Sequence, residues 1–579
     1  MGAAEISSLP TAIIGGGPAG SIAALCLRKL GCDVELFEKT RFPRYRVGES
    51  LLPGTLSILK RLGVFERVEA AGFVKKRAAT FLWGGDRAPW TFSFATPKTA
   101  PWVFDYGFQV NRDEYDKILL DAARDAGAAV HEECEVTSVD PGGQSQAAEI
   151  QFHGTSGAGS KTCAFVVDAS GTRGVVAQAC GLRRSDAYFR NIALWSYFRG
   201  GKRFTGDLAG NVFSVTFDEG WIWIIPLKDD VYSVGVVTGA ESATEIQRLG
   251  GQRFYEQSIG QCSAAKDILA SAEQTAEIRV VKEWSYDSET LTVERAFLCG
   301  DAACFVDPLF SQGVHLATYS AMLAAAAIGH LLEHGEDYEP VRCWYEQSYR
   351  AVYGQYHKFL CAFYSDNEQP DSQFWSSRKL AAQGDERIQR AEWLSTLTGD
   401  DGSGRGSGRN EIEHLEEGAS LLATLWRHST PDLDAGFDEK ELALRRVRWA
   451  SGILKDLKRT RHIRWAGEQV DVVSSFEVGR ESFRLERRLY LADQQGRAMT
   501  AHPMTAAHRE LFESLIAEPL HYDVLASRLG KMDGQVSPLE MIMRLIEDGL
   551  LEAVDKSGEP YRMPRILRFA GVGGHDSFS

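Results

Sequence analysis

Three glycines near the amino terminus constrain this fold more than any other feature. Gly15, Gly17 and Gly20 stand in a G-x-G-x-x-G spacing after the short apolar run Thr11 to Ile14 and before a helically spaced stretch, Ser21 to Leu30. The first glycine permits a tight turn out of a strand. The second lets backbone amides approach a pyrophosphate, and the third lets helix pack closely on strand. Phosphates then sit at a helix N-terminus, where free N–H groups and the helix dipole favour anions. Asp33 to Phe37 reads as a second strand, and Glu38 at its end can accept from ribose hydroxyls. This β-α-β unit implies a dinucleotide without choosing between FAD and NAD.

Later segments make that choice. Cys299-Gly300-Asp301-Ala302-Ala303 follows the apolar strand Ala296 to Gly300. It resembles the second flavin motif of the aromatic-hydroxylase-like flavoproteins, in which the Asp binds the ribityl chain. Asp168-Ala169-Ser170-Gly171 resembles a third motif of that family, and Arg46 and Arg112 stand in segments that resemble its flavin-contacting positions. The resemblance implies FAD, held by Gly15, Gly17, Gly20, Glu38, Arg46, Arg112 and Asp301.

A chain of 579 residues is too long for one core, so two or three packed units are expected. Strands read at Thr80 to Trp83, Trp90 to Phe94, Ala193 to Phe198, Val212 to Phe217, Trp221 to Pro226 and Tyr232 to Val237, and helices at Tyr115 to Ala126 and Val314 to Leu332. The expected fold is α/β: a Rossmann-like FAD-binding domain with an inserted mixed sheet over residues 1–365, then a helical segment and Gly/Ser-rich linker over 366–410. The remaining domain, 411–579, has a basic helix at Glu441 to Leu457 and ends like a winged helix, with helices at 506–517, 520–529 and 536–548 and a wing at Leu550 to Ile566. A DNA-reading module needs a positive face. Residues 506–579 carry 12 Asp/Glu against 8 Lys/Arg and the whole chain is at −15, so no nucleic-acid partner is expected. The ten cysteines show no paired or metal-type spacing, which fits reduced thiols, no metal and a cytoplasmic protein. No apolar run approaches the ~18 residues of a spanning helix, so no membrane span is expected either.

The phrase Trp221-Ile222-Trp223-Ile224-Ile225-Pro226 matches the Trp-x-Trp-x-Ile-Pro signature of flavin-dependent halogenases. Three further runs are similar to the bacterial members, above all those of the chloramphenicol-biosynthesis type: Phe42 to Pro53, Gly72 to Gly84 and Asp307 to Val314. The resemblance implies an FADH2-dependent chlorinase of natural-product biosynthesis that turns O2 and chloride into hypochlorous acid. In the family, a lysine in a Lys-x-Gly-Ala-Thr-Phe-like context holds that oxidant. Lys76 is its match, with Lys75 as neighbour and Ala78 in place of the glycine. Glu49 would orient Lys76 or the oxidant through a charge-assisted hydrogen bond. Tyr356 aligns with an active-site tyrosine. Ser311, Gln312, Gly313 and Val314 would begin a helix whose free amides can bind chloride. Trp221 and Trp223, two apart on a strand, share one face. Core packing explains such a pair; the family reading makes it a wall between flavin and substrate.

The resemblance also implies a separate flavin reductase and an acyl or phenolic substrate, either free or tethered to a carrier protein or coenzyme A. Arg445, Arg446, Arg448, Lys455, Lys458, Arg459, Arg461 and Arg464 concentrate positive charge that is either a solvated face or a dock for such a carrier. Two other readings remain: an aromatic hydroxylase of the same fold, and a non-catalytic flavoprotein or docking scaffold. A Gly17→Val protein should purify nearly free of flavin by visible absorbance, because its side chain occupies the pyrophosphate's approach; a fully loaded variant would refute the dinucleotide reading.

Overall fold

The computed structural model describes residues 3–365 apart from 84–89, 95–103, 283–284 and 336; residues 367 and 374–375; and residues 462–559 apart from 480, 493–497, 533–537, 548–549 and 556–558. These fall into two compact units. The first is residues 3–375 with the later stretch Val478–Leu485, and the second is 462–477 with 486–559. The sequence-predicted linker, the basic helix at Glu441 to Leu457 and all of the basic cluster except Arg464 lie outside the described residues. Arg464 is ion-paired with Glu552 at 2.5 Å.

The first unit is built on two sheets. Five parallel strands run in the order Ala296–Leu298, Val166–Asp168, Thr11–Ile14, Val34–Phe37, Ala129–His131, with Thr292–Val293 antiparallel at one edge. Register aligns Ile14 with Asp168 and with Phe37, and Asp168 with Leu298. The glycine loop, Glu38, the Ser170–Gly171 turn and Gly300–Asp301 therefore all leave the sheet at its carboxyl edge, where open parallel sheets bind their ligands. The helix Pro18–Lys29 packs against the long helix Gly313–His334. That 22-residue helix is long and apolar enough to cross a membrane, against the sequence expectation that no such run exists. With 89% of its most apolar window buried in the fold, it is a core helix.

The second sheet has eight strands and includes the strands expected at Thr80 to Trp83, Trp90 to Phe94 and between Ala193 and Val237, whereas the strand expected at Phe165 to Gly171 forms in the first sheet as Val166–Asp168. Its centre runs Asn191–Arg199, Val231–Gly239, Gly220–Pro226, Val212–Phe217, Ala78–Leu82, Trp90–Ser93. Alternation sorts the tryptophan strand Gly220–Pro226 into two faces. Ile222 and Ile224 enter a core with Phe254, Tyr255 and Ile268 of the helices Gly251–Gln261 and Ser263–Leu269. Trp221 and Trp223 face the other way, their rings 6.0 Å apart.

The second unit has its helices and short strands in winged-helix order: Ala506–Ala517, Leu520–His521, Tyr522–Leu529, Pro538–Glu547, Leu551–Val554. The centre of this small sheet is an unforeseen strand, His462–Trp465, from well upstream. A separate sheet of Val472–Val478, Leu485–Ala492 and Ala498–Met504 was also unforeseen. Neither has a glycine or alternation signal strong enough to stand out locally.

Trp223 pairs with Gly235 across the ladder, and a Cβ built at Gly235 would lie 2.1 Å from the indole. Gly235→Ala should therefore destabilise the protein by about 1–3 kcal/mol, as overpacking does. Adding Trp223→Leu should recover part of it. Urea midpoints of the single and double variants check this; a neutral Gly235→Ala would refute the packing.

Candidate active site

The glycine loop is shaped by close backbone approach. Gly15 takes φ +101°, and a Cβ at Gly20 would fall 1.8 Å from the Gly15 carbonyl oxygen. Gly17 differs: a Cβ there would meet only the Arg44 guanidinium, at 3.2 Å. That leaves an open, cation-fronted face suited to a pyrophosphate. Glu38 is buried, one carboxylate oxygen accepting from the Gly16 N–H at 2.7 Å and the other from Thr40 N–H and Oγ1. Asp301 follows Gly300 at φ +56°. Its carboxylate accepts no hydrogen bond from the described residues, and burial pushes its pKa up to about 6. Half-buried and not filled by the protein's own donors, this oxygen pair suits a polyol such as the ribityl chain. The loop and Asp301 fit FAD.

The arginines divide differently from the sequence expectation. Arg46 is exposed and donates to the Tyr45 carbonyl at 3.2 Å. Arg44, which sequence reasoning passed over, stands against the glycine loop instead. Arg44 and Arg112 share the buried Asp116, Arg112 through two parallel hydrogen bonds of 2.8 and 2.9 Å. Arg112 also donates to the Val47 carbonyl, beside Gly48. Asp168 is spent on its own turn: it accepts from Ser170 N–H and Oγ and from Val176 N–H at 2.7 Å, capping the following helix.

Lys76 ends the strand Val74–Lys76, which pairs with Gly107–Gln109 and sets Lys76 opposite Gly107. It is 1% exposed. Among the described residues no group accepts a hydrogen bond from its ammonium, and Phe94 covers it at 5.2 Å. Burial alone lowers its pKa from 10.5 to about 7. The side chain reaches a small cavity walled by Phe81, Phe92, Phe94 and Phe310, in which Ser311 is the other polar member. None of these phenylalanines was singled out in the sequence; alternation on Ala78–Leu82 and Trp90–Ser93 is the signal that could have found Phe81 and Phe92.

The expected pairing of Glu49 with Lys76 is absent. Glu49 accepts from the Tyr197 hydroxyl at 2.6 Å and from the Gly48 N–H. The Val110 N–H donates to the Glu49 carbonyl, so Glu49 lies beside Val110 while Lys76 lies opposite Gly107. The two backbones lie on opposite sides of the strand Gly107–Gln109 and are offset along it by three residues, ~10 Å at ~3.3 Å per residue.

Ser311, at φ +63°, closes the turn Pro308–Phe310, and Gln312 caps the long helix that begins at Gly313. The first amides of a helix have no partner within it. Val314 Cγ2 lies 4.0 Å from where a Cβ of Gly48 would be, so this turn meets the Gly48 loop. Tyr356 is buried on the helix Tyr338–Ser365, its ring 6.4 Å from that of His315. It is not among the residues lining the Lys76 cavity. Trp221 donates to the Tyr364 hydroxyl at 2.5 Å and Trp223 to Ser233. With Trp83, whose ring is 6.4 Å from that of Trp221 and 6.5 Å from that of Phe81, they form an aromatic layer behind the cavity wall.

Comparison with known proteins places the chain in a family. Residues 8–339 match the family model "FAD binding domain", and residues 449–564 match "Chloramphenicol halogenase CmlS C-terminal domain". The crystal structure of CmlS, a flavin-dependent halogenase, superposes with a TM-score of 0.78 at 44% identity, covering 98% of this chain and 99% of that one. A tryptophan 2-halogenase of Chondromyces crocatus is 35% identical over 65% of this chain and 71% of its own length. A 1H-pyrrole-2-carbonyl-[peptidyl-carrier protein] chlorinase of Pseudomonas fluorescens is 30% identical over 61% and 83%. This chain belongs to the flavin-dependent halogenases.

Proposed function

We propose that this enzyme chlorinates a small acyl or phenolic substrate with hypochlorous acid that is held and delivered by Lys76. The observation that carries the reading is a buried ammonium with no anionic partner among the described residues, in a small aromatic cavity. Bound reduced flavin supplies, with O2 and chloride, the hypochlorous acid.

The apolar surroundings disfavour the charged form of Lys76. With a pKa about 7 it is a substantial fraction free amine near neutral pH. That amine can take chlorine from hypochlorous acid: the nitrogen lone pair forms the N–Cl bond, the Cl–O bond breaks, and the departing hydroxide leaves as water with an amine proton. The protonated form instead donates a hydrogen bond and holds the oxidant. The phenyl walls offer no competing hydrogen-bond acceptor. The Ser311 N–H is spent on the Pro308 carbonyl at 2.9 Å, so of the expected chloride site it is the amides of Gln312 to Val314 that suit chloride, beside the cavity that Ser311 lines. Trp221 and Trp223 exclude the organic substrate from the flavin, which disfavours direct hydroxylation.

A carrier-tethered substrate is supported by the carrier-specific relative alone. A separate flavin reductase is the partner that a halogenase consuming FADH2 requires. All ten cysteines are free thiols, which supports a reducing compartment such as the cytoplasm.

Lys76→Met should lower substrate chlorination by about a hundredfold or more, the scale of a lost catalytic group. Flavin reoxidation and the release of free hypochlorous acid to a solution trap should continue. Near wild-type chlorination by Lys76→Met would refute the assignment.

The same variant has a stability signature. In wild type the native state binds fewer protons than the unfolded state between pH 7 and the ordinary lysine value, so stability rises with pH across that window. Lys76→Met lacks this dependence. It should be more stable than wild type at pH 7, with the advantage shrinking as pH approaches 10.5; thermal melts across pH read it directly.

A further inference from the structure

Trp195, Tyr45 and Tyr197, from two segments of the chain, form one hydrogen-bonded file ending on Glu49. The Tyr197 hydroxyl lies 2.6 Å from a Glu49 carboxylate oxygen and 3.0 Å from the Tyr45 hydroxyl. Tyr197 has one hydroxyl proton, so with that proton on Glu49 it is Tyr45 that donates to Tyr197. The Trp195 indole, a donor only, sits 2.5 Å from the Tyr45 oxygen and fixes that direction. Every donor in the file thus points toward the carboxylate.

The two ends differ. Glu49 is 2% exposed. Its neighbour Gly48 meets Arg112 and the start of the long helix, and Leu52, three residues on, lines the Lys76 cavity. Tyr45 is half-buried, its ring under the exposed Arg279 guanidinium at 3.7 Å. Arg279 pairs with Trp195 across neighbouring strands, so the outer end of the file stands at the sheet edge beside solvent. A buried carboxylate is expensive where packing alone is needed.

Halogenation consumes one proton per turnover: FADH2 + O2 + Cl− + R–H + H+ gives FAD + R–Cl + 2 H2O. We propose that Tyr45, Tyr197 and Glu49 are the path by which this proton enters from solvent. A proton adds to the Tyr45 oxygen as the Tyr45 proton passes to Tyr197 and the Tyr197 proton passes to the Glu49 carboxylate. Each phenol ends with one proton. Glu49, now a carboxylic acid, releases its proton on the reaction side and returns to carboxylate. Burial raises the Glu49 pKa, while the Tyr197 hydrogen bond and Arg112, the cation facing it, restrain the rise. The path rests on halogenation itself and not on delivery by Lys76.

Tyr197→Phe and Tyr45→Phe keep the rings and remove the relay oxygens. In flavin-free protein, the Glu49 carboxyl band, identified by its loss in Glu49→Gln, should titrate at higher pH in Tyr197→Phe, with a smaller change in Tyr45→Phe. In the reduced, flavin-loaded enzyme, indicator-dye proton uptake and chlorination should slow by roughly a hundredfold in both variants. Imidazole added as a small proton carrier should restore the rate, which lost packing would not allow. Unchanged proton uptake in both variants, or a slow rate that imidazole fails to rescue, overturns the path. Should Tyr197→Phe not fold, Tyr45→Phe at the outer end tests the path by the same proton-uptake and rescue measurements. If Lys76→Met still chlorinates, delivery by lysine fails and this path is untouched.

Discussion

The constraint on which the site depends is the burial of one ammonium among phenyl rings. Water would hold Lys76 fully charged at neutral pH; the cavity of Phe81, Phe92, Phe94 and Phe310 lowers its pKa to about 7. Keeping it there requires a scaffold that does not relax toward solvent. A separate two-stranded ladder supplies it. The strand Val74–Lys76 is held by its ladder to Gly107–Gln109, where a Cβ at Gly107 would sit 2.2 Å from the Leu51 carbonyl oxygen. The segment over Glu49 to Leu52 is clamped along the other side of that strand. The lysine's position is thus set by backbone hydrogen bonds rather than by a partner for its charge.

Electrostatics at the flavin edge follow a different rule. There the charges are paired before any ligand arrives: Asp116 holds both Arg44 and Arg112, and Glu38 braces Gly16. Pairing fixes geometry while leaving a net positive face beside Gly17. Asp301 is the exception, half-buried and without a donor among the described residues. Structural and ligand-directed carboxylates separate on this criterion. Asp168 fills its acceptor sites within its own turn, whereas Asp301 leaves them open.

Local chemistry was legible in the sequence. The glycine loop, the alternating strands from Ala193 to Val237 and the long helix emerge near their expected bounds, because periodicity and φ requirements are encoded within a few residues. Lys76 was reached through family resemblance, since a Lys-Lys pair has no local signature of burial. What failed was non-local. Glu49 and Lys76 both lie along Gly107–Gln109, but their relative register depends on two separate pairings. Arg44 and Arg46 differ only in which way a loop turns. Tyr45, Trp195 and Tyr197 meet across some 150 residues of chain. His462–Trp465 completes a sheet whose other strands come much later.

The free thiols acquire a particular meaning in a protein that makes hypochlorous acid. Thiolates are the forms such an oxidant consumes fastest, and a thiol held protonated is poorly reactive. Burial pushes Cys26, Cys163, Cys299 and Cys304 up to about 12, so at neutral pH these four are almost entirely unionised. Cys180 and Cys343 are exposed. Oxidant that escapes its cavity meets those two from solvent while the core thiols stay intact. Exposure and ionisation thus sort these thiols into two that a solvent-borne oxidant reaches and four that it consumes slowly.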